Sequence, residues 1–189
     1  RDKGIDPGSR VLYIEKTFIY YLSCSSELSP RMLKLMMLEN GEKYPIRGDS
    51  YADYGFQIVG GTTKIGDEFT KAPAEFKEFA LKKWTDSRIS FSGLEGDHLK
   101  FVEFWEKFIN AINENNKQEI KKISKAGNSF EEYSLTDIQK DVDKILIENV
   151  SFQNQKTAKL TSVLTLGTCY FTFELINGEW FLKDFNAAG

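Results

Sequence analysis

Near its C-terminal end the chain reads FTFELINGEWFLKDF from Phe171 to Phe185, with one carboxylate, Asp184, among aromatic and aliphatic residues. A carboxyl group lined by apolar side chains resists ionisation because burial penalises its charged form, which suits a general acid or base in proton transfer. The flanking residues fix which way it would point. Asn177-Gly178 is the dipeptide of a two-residue type I′ hairpin turn. Such a turn pairs Leu175 with Trp180 and, counting back, Phe173 with Leu182 and Phe171 with Asp184. One sheet face then holds Cys169, Phe171, Phe173, Leu175, Trp180 and Leu182, with Asp184 in the same row. The other holds Tyr170, Thr172, Glu174, Phe181, Lys183 and Phe185. Two readings of Asp184 stay open, a pocket acid beneath the helices or a solvated residue at a strand end. No second polar group falls on its face to complete a catalytic constellation.

Other groups with chemical potential lack the context their chemistry needs. Arg47-Gly48-Asp49 spells an adhesion tripeptide in a Tyr- and Gly-rich stretch read as a loop, with nothing else to suggest an adhesion ligand. Starting from Asp49, a calcium loop would need an oxygen ligand at the third position, Gly at the sixth and Glu at the twelfth, where the chain has Tyr51, Tyr54 and Gly60. GFQIVGGTT approaches a phosphate-binding loop but has Gly61 where Lys is required. His98 is the single histidine and stands at a helix start without a Cys, His or acid cluster, so no metal site and no cofactor are expected. The Tyr51 and Tyr54 rings suit glycan or peptide contacts, and equally the packing of a long loop on its own domain. Cys24 and Cys169 are expected as two buried or half-buried thiols rather than a bridge.

The totals set the frame. The chain has 189 residues, 41% hydrophobic and 14% aromatic, enough for one large domain or two small ones with real cores. A net charge of −3 and no basic stripe along the chain argue against nucleic acid. No stretch approaches the ~20 apolar residues of a membrane span. The chain opens on Arg1 without Met, so an upstream stretch is expected to have been trimmed, an export signal being one candidate.

The elements that must position these residues are clearest in the second half. From Asp97, read as an N-cap, Leu99, Val102, Trp105, Ile109 and Ile112 recur at helical spacing beside Phe101, Phe104 and Phe108. A short second helix carries Ile120 and Ile123 and stops near Gly127, and a third opens near Thr136. From Leu146 the texture turns to strands, with a turn at QNQKT, a turn or bulge at Gly167, and the closing hairpin. Three helices followed by three or four antiparallel strands predict an α+β fold with helices packed on a curved sheet. In the first half, RVLYIEKTFIYYLS, SPRMLKLMMLENG and PAEFKEFALKKW read as helices, the second with Ser29 as N-cap, Pro30 at the first turn and Gly41 closing it. Short strands are expected at GFQIVG and RISFSGL. The boundary falls at Ser92–Asp97, dividing residues 1–96 from 97–189.

FWEKFINAINENNKQEIKKI followed by FELINGEWFLKDF resembles the NTF2-like superfamily, the cystatin-like cone folds, and within it the exported bacterial type. The resemblance spans about residues 98–186. It implies a pocket between helices and concave sheet face, lined here by Trp105, Phe108 and Phe171, and a homodimer through the partly apolar outer face, at Tyr170, Phe181 and Phe185, with cover of that face by the first half of the chain as the open alternative. It also implies a place in the periplasm or at the cell surface. Helix following helix at the start mirrors residues 98–125, so the first half is a candidate degenerate copy. The favoured function is a non-catalytic module binding a small molecule, glycan or protein. The alternative is a pocket enzyme of the ketosteroid isomerase or SnoaL-like kind, with Asp184 transferring protons.

Overall fold

The computed structural model describes residues 16–22, 29–39, 41–125, 130 and 135–188. The fold is α+β, with helices segregated from antiparallel sheets. The described residues begin with strands: β1 (Lys16–Leu22), β2 (Met32–Glu39), β3 (Glu42–Asp49), β4 (Tyr51–Asp53), β5 (Ile58–Gly60) and β6 (Thr63–Ile65). The first, second, third and sixth form one sheet in the order β1-β2-β3-β6, and β4 pairs with β5 as a separate ribbon.

This corrects two expected helices. Residues 16–22 and 32–39 are strands; residues 10–15 and 23 of the first expected helix lie outside the described residues. In β2 burial alternates, with Leu33, Leu35 and Met37 inside and their neighbours half-buried or exposed. Apolar residues this dense satisfy a period of two as well as 3.6, and Gly41, at φ +79°, closes a hairpin (Glu39 opposite Glu42) rather than a helix. With those helices gone, the positional match behind a duplicated first half is lost.

Helix α1 (Ala74–Ser90) does follow Pro73, and runs on through RIS, which had been expected as strand. Its buried residues Phe76, Ala80, Trp84 and Arg88 recur every fourth position. The first three pack on Leu33, Leu35, Met37 and Ile46 of the sheet's inner face, forming the smaller of two hydrophobic cores.

After a turn at Gly93, α2 (Gly96–Asn113) carries the larger core. Its N-cap is Glu95, two residues earlier than expected, so Asp97 lies in its first turn and its carbonyl accepts from Trp180 Nε1 at 3.0 Å. α3 (Lys117–Ile123) is capped by Asn116, whose side chain accepts from the Glu119 amide at 3.0 Å. α4 (Leu135–Gln139) is shorter than the periodicity predicts; Val142 and Ile145 lie in and beside a 3-10 turn. The closing meander is β7 (Val150–Asn154), β8 (Thr157–Leu164), β9 (Gly167–Ile176) and β10 (Glu179–Ala188), in the order β10-β9-β8-β7.

Both edges of that meander are covered in part. The Phe152 amide on β7 donates to the Phe56 carbonyl, and Ser124 bridges Leu182 on β10, where the Lys125 amide also donates. The β4–β5 ribbon therefore belongs with the second half: Tyr51 and Ile58 are members of the larger core, as is Leu94. The expected boundary at Ser92–Asp97 covers the turn after α1 and the first two residues of α2.

Candidate functional site

The space beneath α2 is filled by rings. Phe101, Phe104, Trp105 and Phe108 interdigitate with Phe171, Phe173 and Trp180, mostly edge to face, at centroid separations from 5.0 to 6.2 Å. Trp105, Phe108 and Phe171, expected to line a pocket, are buried members of this packing.

The hairpin register holds from Asn177-Gly178, both at positive φ, back to Phe173 opposite Leu182. It then shifts by one residue on β10. Asp184 pairs with Thr172 and is exposed, while Phe185 pairs with Phe171 and is fully buried. Phe185 packs 4.7 Å from Phe171 and 5.0 Å from Phe130. The bulge buries a phenyl ring, worth roughly 1.5–3 kcal/mol, and keeps a carboxylate out of an apolar core. The shift corrects two assignments. Asp184 lacks the apolar lining on which a proton-transfer role rested, and Phe185 is withdrawn from the outer face. Tyr170 remains exposed there and Phe181 half-buried.

Tyr51, read either as a ligand-facing loop ring or as packing on its own domain, is the hub of a buried polar junction. Its hydroxyl donates to Glu106 of α2, and the same carboxylate takes the Arg88 guanidinium of α1 at 2.5 Å. Arg88 also donates to the Gly61 carbonyl and lies over the Tyr51 and Trp84 rings. Burial pushes the Tyr51 phenol well above its ordinary pKa; Arg88 opposes the shift and Glu106 adds to it. Three elements and the β5–β6 link meet here, so the junction ties the two cores together. Sequence reading missed it because Arg88 was assigned to a strand; its spacing from Phe76, Ala80 and Trp84 is the signal that places it on the buried stripe.

A second fastening joins His98 Nδ1 to Asp53 at 2.5 Å, with the imidazole against Phe152. Tyr54 and Phe56 stand exposed at the tip of the same ribbon. At the far end of the meander, Asp141 accepts from Lys144 Nζ at 2.6 Å and from the Thr165 amide at 2.5 Å. These bonds hold its carboxyl well below the usual carboxylate range. Cys169 nearby is a buried free thiol, pushed up by burial; Cys24 lies outside the described residues.

An open cleft of about 620 Å³ lies on the first sheet, lined by Met32, Leu33, Lys34, Arg47, Gly48, Asp49 and Thr62. Arg47-Gly48-Asp49 lies in strand β3, paired with β2 throughout and with β6 at Arg47 and Gly48, rather than in a loop. Gly48 is required by close approach: a Cβ there would lie 1.9 Å from the Thr62 carbonyl oxygen. Asp49 accepts from the Thr62 amide at 2.7 Å, holding the link before β6 over the cleft. Lys34 lies opposite Arg47, and Arg47 opposite Lys64, so one row across β2, β3 and β6 carries three cations. Arg47 and Lys64 make no ion pair with any described residue.

Comparison with protein-family models, with curated proteins and with solved structures finds no match to this chain.

Proposed function

We propose that the protein is a non-catalytic binding module whose ligand seats on the first sheet, in the cleft between Met32–Lys34, Arg47–Asp49 and Thr62. The observation that carries this reading is a contrast of occupancy. Interlocked rings take up the space beneath α2 where a cone pocket would lie, whereas about 620 Å³ stands open beside Arg47. That volume lies within the ordinary range for small-ligand sites, roughly 300–1,000 Å³. The second half, with three helices leading into a four-stranded meander, is read as an NTF2-like domain serving as a rigid support. The buried Arg88–Glu106 pair and the Tyr51 hydroxyl support that division of labour by fixing the β4–β5 ribbon, and the link beyond it, to α1 and α2.

Amide chemical-shift mapping of the whole chain against a fragment library tests the reading. Binding fragments should perturb Leu33, Lys34, Gly48 and Thr62 together. Perturbations gathered instead on Phe101, Trp105, Phe171 and Phe173 would mean that the cone opens to ligand, and the assignment to the first sheet would be wrong.

A further inference from the structure

We infer that the cleft takes a small phosphorylated organic molecule, with its phosphate on the Lys34–Arg47–Lys64 row. This rests on the reading of the cleft as the binding site and adds the chemistry of what it binds. Residues directly opposite on neighbouring antiparallel strands share a face and lie close together, and like charges so placed repel. Here that happens twice in succession, Lys34 against Arg47 and Arg47 against Lys64. Strands sit about 4.8 Å apart, so the row spans roughly 10 Å. The central Arg47 is exposed and makes no ion pair with any described residue, and the same holds for Lys64.

Arg47 against Lys64 is unfavourable to the fold alone, and the row as a whole is favourable to a multiply charged anion. A guanidinium presents a planar fork that matches two phosphate oxygens, and lysines on either side add point charges that tolerate varied geometry. A phosphate dianion balances more of this charge than a single carboxylate does. The rest of the cleft selects against a bare ion. Met32, 63% exposed, supplies an apolar side chain on the same face. Asp49, opposite Met32 in the next row on the same face, offers an acceptor to hydroxyl groups while repelling a second phosphate from that end. An anionic head on the row and a hydroxylated or apolar body over Met32 and Asp49 satisfy each wall.

The test is isothermal titration of the whole chain with glycerol 3-phosphate, inorganic phosphate, succinate and glycerol at constant ionic strength, paired with amide shift mapping. Glycerol 3-phosphate should bind with shifts at Lys34, Gly48 and Lys64, and Arg47→Gln should weaken it at least tenfold while its amide spectrum stays folded. Inorganic phosphate should bind more weakly at the same residues. Succinate or glycerol binding in the cleft as tightly as glycerol 3-phosphate would overturn the phosphate assignment and leave the cleft reading standing. Shifts confined to the α2–β9 aromatic residues would overturn both. No shift at the cleft with either phosphate, or equal affinity in Arg47→Gln, would overturn the inference.

Discussion

Each of the two four-stranded sheets lays one face on helices, and they differ most in what they do with the other. On the outer face of β7–β10, opposite charges are brought together: Lys183 Nζ lies 2.9 Å from Glu174 across the final hairpin, among threonines and the exposed Tyr170 and Val163. On the outer face of the first sheet, register brings three cations into one row beside an open cleft. Among the described residues, apolar content does not separate the two faces, since each exposes one or two large apolar side chains. Arrangement of charge does. The inner faces differ as well: the second sheet closes on itself through interlocked rings, while the first has only a small core around Phe76 and Trp84. The half whose register sets Arg47 against Lys64 is where a ligand is worth seeking.

Truncating the closed core should give the largest effect. Phe173→Ala is expected to cost about 3–5 kcal/mol in urea unfolding, because five other rings surround that position. A cost below about 2 kcal/mol would mean that the rings already border free space, erasing the contrast between halves. Ile46→Val in the smaller core should cost about 1 kcal/mol.

The junction between the cores comes next. Arg88→Met should cost about 3 kcal/mol by leaving Glu106 buried without its partner, whereas Arg88→Met with Glu106→Leu should recover most of that loss. Equal instability of single and double variants would show that the pair does more than neutralise itself, and the comparison would have to treat both halves as one cooperative unit.

Asp141 sharpens the account of how the second sheet is fastened. Its folded carboxyl titrates below the unfolded one, so its contribution is present above the unfolded value, about pH 4, and is lost as pH falls through the folded value. Asp141→Asn should therefore be less stable than the parent at neutral pH, with the gap closing under acid; a gap constant from pH 7 to about 2 would contradict the role given to Lys144 and Thr165. Asp184→Asn, on an exposed strand position, should change stability by less than about 1 kcal/mol in the same assay.

How much of this was legible in the chain depends on where each signal lies. The α2 stripe, the Asn177-Gly178 turn and the meander were readable because their determinants are local. The same dipeptide at Asn40-Gly41 was equally available, yet Ser29, Pro30 and Gly41 also fit the ends of a helix, and β2 is too uniformly apolar for its period to decide. The bulge beyond Leu182 left no local mark: only the gain from burying Phe185 selects the shifted register, and that gain depends on Phe130 and Phe171. The cation row was invisible for a related reason. Lys34, Arg47 and Lys64 are far apart in sequence and meet only because β6 returns past the β4–β5 ribbon to pair with β3.

The most direct single measurement is a crystal structure of the whole chain grown with glycerol 3-phosphate. The account predicts density for the phosphate against Arg47, with the α2 and β9 rings in contact and no ligand among them. A ligand lodged between Trp105 and Phe171, with the Lys34–Arg47–Lys64 row bare, would contradict it.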